Sequence, residues 1–266
     1  MPFHLSARLS CGAILLICGA IPAAAAEPAS TGAFDISAGA GVMMRPTYLG
    51  SDRYRASPLP LLSVKWNDMV SLDPSGLRLY QRLGGFTAGI GLTYDGGRDE
   101  KDPGGISFRG GDGRLKGMGK IGTAVGYQLF ASYTLGRITF DANATKYDGS
   151  QNKGLLVRAG AELPIRLNEH FTIIPHGGAS WANDRYMRTF FGVSSEQALH
   201  SNFARYDAES GFLGGTVGLR LHYRFDNHWF AVGDASTTFL AGDAKKSPIS
   251  FSDTATIATL AIGYHF

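Results

Sequence analysis

The sequence predicts an all-β protein, a closed antiparallel transmembrane β-barrel. Three observations lead there. Apolar residues recur at every second position over segments of roughly ten residues, aromatic side chains gather at the ends of those segments, and charged residues are only 18% of the chain. Period two is strand geometry, because successive side chains point to opposite faces. Strands of that length exceed the roughly 5–6 residues usual in soluble sheets and match a tilted crossing of the hydrocarbon layer. A secreted β-sandwich shows the same alternation and is the alternative. The second face speaks against it: Gly, Ser, Thr, Asp and Arg make a poor dry core but a good hydrated lumen. Backbone groups facing lipid must be paired, so a spanning sheet must also close.

The first 26 residues are read separately. Arg8 precedes an apolar stretch from Cys11 to Ile21, and Pro22 leads into Ala23, Ala24, Ala25 and Ala26. This is the pattern of a signal peptide cleaved near Ala26, too short to anchor. It leaves residues 27–266 as one exported barrel domain. Cys11 and Cys18 are the only cysteines, so the mature chain has no disulfide, no thiol nucleophile and no thiolate metal site. The net charge of +3 is spread out, with no basic block for nucleic acid. No apolar run of about 18 residues exists, which excludes a helical multispan protein.

The strands follow in order. The first, near 34–44, puts Phe34, Ile36, Ala38, Ala40 and Val42 on one face. Residues 58–66 give the second. Met69–Gln81 supplies two short strands around Asp73-Pro74-Ser75-Gly76, a turn sequence. The fifth, 85–95, alternates Phe86, Ala88, Ile90, Leu92 and Tyr94 with Thr87, Gly89, Gly91, Thr93 and Asp95. Strands near 124–134, 137–147, 154–164 and 170–181 follow, then 212–225, 228–240 and 256–266. Short turns at Leu135–Arg137, Arg166–Glu169 and Phe225–His228 belong on the periplasmic side, and long connections near 96–123, 182–211 and 241–255 on the outside. The total is twelve; ten is the alternative if the weak hairpin at 69–81 is not embedded. An aromatic girdle is expected from Trp66, Trp181, Trp229, Tyr264 and Phe266.

The ordered loops carry a family resemblance. The first outer loop holds Tyr48, Gly50, Ser51 and Tyr54, followed by Pro60. Gly117, Met118 and Gly119 precede the sixth strand. The fourth outer loop has Asn183-Asp184-Arg185-Tyr186 and later Gly192, Val193 and Ser194, with Gln197 and Tyr206. The last outer loop has Gly242, Asp243, Ser247 and Pro248. The chain in this respect resembles the MipA/OmpV family of outer-membrane proteins. The resemblance implies an outer-membrane location, in contact with lipid and lipopolysaccharide. For the family's founding member it implies a scaffold joining a lytic transglycosylase to a bifunctional murein synthase. Other members are discussed as porins or adhesins.

The residues themselves point to no enzyme, cofactor or metal. There is no Gly-x-Ser-x-Gly elbow, no phosphate loop with Lys-Ser/Thr and no His-Glu-x-x-His helix. Gly110-Gly111-Asp112-Gly113 reads as a mobile outer loop rather than an ion site. His176 and Ser180 share a face but lie about 13 Å apart along one strand, beyond bonding reach. The lumen set is Asp35, Asp95, Asp141, Arg158, Glu162, His176, Arg220, His222, Arg224 and Asp234. Its expected charge cluster is Arg158, Glu162, Arg220, His222, Arg224 and Asp234, with Arg220 and Arg224 facing Asp234. Inward Phe130, Leu156 and Phe230 would narrow the lumen. The outer-loop residues Met118, Met187, Phe190, Phe191 and Val193 are too apolar to stay solvated. Three functions remain: a scaffold for murein enzymes, which is favoured; a narrow diffusion porin; and a surface-loop adhesin.

Overall fold

In the computed structural model, residues 34–102, 110–149 and 153–266 are described; the signal-peptide expectation lies outside them. Twelve strands form one antiparallel meander: β1 Phe34–Pro46, β2 Tyr54–Trp66, β3 Val70–Asp73, β4 Gly76–Leu83, β5 Phe86–Asp95 and β6 Ala124–Leu135. There follow β7 Ile138–Gly149, β8 Gly154–Glu162, β9 Phe171–Ala182, β10 Gly211–Arg224, β11 Trp229–Leu240 and β12 Thr254–His265. Each strand pairs with the next, and β12 returns to β1 with Ala40 opposite Ile262. The ring is therefore closed, as the alternation requires. Beyond Leu163 and Pro164, Ile165–Arg166 carries the β8 ladder on against Ile173 and Thr172.

Turn chemistry sets the register at both ends of the short hairpin, on the periplasmic side at 67–69 and on the outer side at 74–75. Asn67 and Asp68 both adopt the left-handed conformation of a type I′ turn, Met69 N–H donates to the Trp66 carbonyl at 3.0 Å, and the ladder resumes with Trp66 opposite Val70. Asp73 and Gly76 pair across Pro74-Ser75, with Ser75 N–H donating to Asp73 Oδ1 at 2.7 Å. The hairpin at 69–81 is thus embedded, and the count is twelve rather than ten.

This hairpin is short. β3 has four residues and meets β2 only through Val64, Lys65 and Trp66. On β5 its ladder ends at Leu92. Above it, toward the outer loops, Pro58–Ser63 of β2 has no strand partner on that side among the described residues. The second strand also begins at Tyr54 rather than at 58, so Pro58 and Pro60 lie inside it.

Outward positions form a large exposed apolar band that includes Leu62, Ile90, Leu129, Val217 and Leu260. A water-soluble monomer would not carry a patch of this extent; it is the hydrocarbon-facing surface. Trp66 stacks on Phe34 at 6.3 Å, and Tyr264 meets Trp229 and Phe266 edge-on at 5.1 and 5.0 Å, all near the short turns. Trp181 sits at the opposite end, on the last turn-proximal residues of β9.

The outer loops fold into a cap with three α-helices among the described residues: α1 Asp184–Phe191, α2 Ser195–His200 and α3 Gly242–Lys246. Asn183 caps α1 by accepting from Tyr186 N–H, and Ser194 with Gln197 forms a capping box on α2. Tyr186, Met187 and Phe191 of α1 are buried against Tyr147, Leu156, Ala182, Leu213 and Leu240 of the barrel. The main apolar core thus sits in the outer mouth.

Candidate functional site

Two regions gather the residues singled out by the sequence: the cap, and a cavity beneath it. The cavity has a volume of about 1600 Å³. Its lining runs from Asn67, Gly84, Arg137 and Asn227 in the periplasmic turns up to Leu59, Tyr147 and Ser180, and includes no residue of the cap loops. It is a vestibule entered from the periplasmic end, and Tyr147 stands where its roof meets the underside of α1.

The vestibule's charges come from alternate residues of β7 to β11. Register brings Arg220 opposite Asp234, and Nε of Arg220 lies 3.3 Å from Oδ2 of Asp234. Arg220 Nη1 is 3.5 Å from Glu162 Oε2, and His176 Nε2 shares Asp234 Oδ2 at 3.0 Å. Arg220, Glu162 and Asp234 are nearly excluded from solvent. Such a group demands mutual pairing, since a buried charge left alone costs several kcal/mol, roughly 3–5 on loss of one partner.

Only three of the six expected members meet here. Arg224 does not face Asp234: it lies opposite Phe230, four positions nearer the turn, and Nη2 donates to the Glu169 carbonyl at 2.6 Å. His222 stacks on the Phe230 ring at 5.7 Å. Arg158 lines the cavity nearer Tyr147. Asp35 holds Lys65 at 3.4 Å by the periplasmic rim, and Asp141 lines the wall. Asp95 is withdrawn altogether, paired with Lys153 in a site where both side chains are fully buried. Lys153 carries no alternation signal, being in a loop, and escapes sequence reading. Phe130 and Phe230 do point inward, with the Arg78 guanidinium 5.7 Å from the Phe130 ring.

The family-motif residues converge in the cap. Tyr48, Leu115, Met118, Val193 and Ile249 form one buried cluster, drawn from four loops. Tyr48 hydroxyl donates to the Ile249 carbonyl at 2.9 Å, Gln197 Nε2 to the Met118 carbonyl at 2.7 Å, and Ser247 hydroxyl to the Phe191 carbonyl at 2.5 Å. Gly50 accepts from Phe251 N–H, Val193 and Tyr206 exchange backbone bonds, and Tyr206 hydroxyl donates to the Asp243 carbonyl at 3.0 Å. Gly117 has φ +89°, and a Cβ there would lie 1.9 Å from the His200 carbonyl oxygen. Gly117 and Gly119 N–H groups both donate to Glu100 Oε2 at 2.9 Å. The motif is the framework of the cap. Pro60 stands apart on β2, and Ser194 and Gly242 open helices.

Gly110–Gly113 is correspondingly not a mobile loop. Gly110 and Gly111 pair in parallel with Arg98 and Asp99, and Gly111 N–H donates to the Thr47 carbonyl at 3.0 Å. Asp112 is buried and receives Arg53 at 3.0 Å and Arg114 at 3.0 Å. Burial pushes its carboxyl up, but the Arg114 hydrogen bonds outweigh this, and the net displacement is below the usual carboxylate range. Arg114 also reaches Asp52 at 2.5 Å and lies 4.0 Å over the Phe251 ring. Arg98, wholly buried, donates to the Phe190 carbonyl at 2.8 Å, and burial lowers its guanidinium to about 10.

The family model described as MltA-interacting protein MipA matches residues 38–266. No curated protein matches. Similar solved structures include the outer-membrane protein OmpT of Vibrio cholerae, 8% identical, covering 88% of this chain and 97% of that one with a TM-score of 0.42. A NanC porin is 10% identical over 87% of this chain and 99% of its own, with a TM-score of 0.43. OprB of Pseudomonas putida is 14% identical, covering 79% and 59%, with a TM-score of 0.39.

Proposed function

Because this chain belongs to the MltA-interacting protein family, we propose that it is an outer-membrane docking protein that holds a murein-cleaving lytic transglycosylase, and with it a bifunctional murein synthase, from its periplasmic face. The observation that carries this reading is the one-sidedness of the barrel. The outer mouth is filled by the α1 core, while the vestibule is lined down to the periplasmic turns. A diffusion pore needs both ends open.

The periplasmic turns are small, but the vestibule rim enlarges the surface a partner meets. Arg82, Arg137, Arg166 and Arg224 line that end together with Asp68 and Asp226, and Arg82 lies 3.4 Å from Asp68. The Arg137 and Arg166 guanidiniums suit an acidic segment of a soluble partner. The reading includes no catalysis: Asp234 is engaged by Arg220 and His176, and His222 lies flat against Phe230. His222→Ala is expected to remove no hydrolytic activity from the purified barrel.

The test pairs planar-bilayer conductance with retention of a purified MltA-type lytic transglycosylase. No stable open steps, with retention weakened by Arg137→Glu and Arg166→Glu together, is the expected result. Stable open steps without retention would establish a porin instead.

A further inference from the structure

The vestibule wall consumes most of its charges in pairs, and one carboxylate is left over. Asp35 holds Lys65, Asp68 holds Arg82, and Asp73 lies 3.9 Å from Arg78. Glu162 and Asp234 share Arg220, and Asp226 accepts from the backbone N–H groups of His228 and Trp229. Asp141, exposed in the wall on β7, makes no hydrogen bond and no ion pair among the described residues. Two basic residues of the adjoining wall are engaged elsewhere, His176 with Asp234 and Arg158 with the Tyr147 hydroxyl.

The neighbours of Asp141 share its need for donors. Oε1 of Glu162, on a side chain only 10% exposed, has no hydrogen-bond partner, and neither has the solvent-shielded Oδ1 of Asn143. Register sets both beside Asp141: Asn143 is the next inward residue on β7, and Glu162 lies opposite Thr139, the inward residue before it. Gly160 pairs with Asp141 on one side and with Gly178 of β9 on the other, so two strands present bare backbone there. A Cβ at Gly160 would lie 3.2 Å from Asp141 Oδ1, which places the carboxylate at the edge of this recess. Among the described residues no three acidic or imidazole groups stand where they could hold a metal ion. The cation that suits these acceptors is one that brings its own hydrogens, a primary ammonium.

The mouth below carries the opposite charge at a fixed distance. Arg137 precedes Asp141 by four positions along β7 and its turn, roughly 13 Å at about 3.3 Å per residue. Arg166 ends the continuation of the neighbouring β8 ladder, and neither arginine has an ion pair among the described residues. We propose that the vestibule binds short peptides of roughly four residues, with the free ammonium end at Asp141 and the carboxylate end at Arg137 and Arg166. Four extended residues reach about 13–14 Å, which matches the separation of the two charges. The peptide enters from the periplasm, and its recognition at Asp141 does not rest on the docking of an enzyme at the rim.

Tetraalanine, its N-acetyl form and its C-terminal amide are titrated onto the purified barrel in detergent, with binding read by saturation-transfer NMR. Tetraalanine is expected to bind, and each capped form to bind roughly tenfold more weakly or worse. Asp141→Asn should weaken tetraalanine by a similar factor and erase its advantage over the N-acetyl form. Arg137→Gln together with Arg166→Gln should instead erase its advantage over the amide. Dialanine, too short to reach both charges, should bind as weakly as the capped forms. No binding of tetraalanine at millimolar concentration would overturn the site. So would a capped form or dialanine that binds as well as tetraalanine, or undiminished affinity in Asp141→Asn. The capped peptides act on the unaltered protein, so the comparison stands even where a variant fails to fold. Retention of a lytic transglycosylase by Asp141→Asn is expected to be unchanged, which separates failure of the peptide site from failure of enzyme docking.

Discussion

Asp112 and Arg220 each hold two oppositely charged partners, but in different media and with different consequences. Asp112 belongs to the cap, outside the hydrocarbon, and its carboxyl is displaced downward. A depressed carboxylate contributes stability above its unfolded value, near 4, and loses it as pH falls through the lower folded value. The cap is therefore expected to loosen only in strong acid, read as faster amide exchange in the loops at pH 2–3 while the strands stay protected. Asp112→Asn should produce that exchange at neutral pH. Arg220 lies in the wall between two carboxylates, so Arg220→Ala leaves Glu162 and Asp234 buried without it, a loss of about 3–5 kcal/mol in urea unfolding. Arg224→Ala breaks a bond to a backbone carbonyl near the rim and should cost about 1 kcal/mol. The inward direction of both arginines was legible from period two. Their different partners were not, because the opposing residue depends on inter-strand register, which the turn at Phe225–His228 fixes.

At the scale of elements, the cap is the part that sequence reading located without describing. Met118, Met187, Phe191 and Val193 were too apolar for water, and all are buried. The cluster that Met118 and Val193 join spans loops as far apart as Tyr48 and Ile249, 201 positions, so no local pattern announces it. The same reason explains why Gly110–Gly113 looked mobile: its anchor, Thr47, is remote. The closure rests chiefly on α1, whose side chains enter the barrel mouth. Deletion of residues 184–206 is expected to leave a folded barrel and create steady ion conductance in planar bilayers. A deleted protein as silent as the parent would place the barrier elsewhere, in the charged waist around Arg220.

For the whole molecule, strand number and closure followed from alternation and turn parity, since a spanning sheet has few ways to satisfy its backbone. The weakest stretch, 69–81, was correctly counted but its length has the larger meaning. Among the described residues, its four- and eight-residue strands join the ring to β2 and β5 in its periplasmic half. The cap, by contrast, ties four loops into one solid. An observer outside the cell therefore meets a relief map rather than a set of tentacles. Tyr48, Met118, Val193 and Ile249 sit beneath its surface, each from a different loop. An antibody or phage tail that reads this relief recognises a mosaic, and a peptide copied from any one loop reproduces a single tile of it.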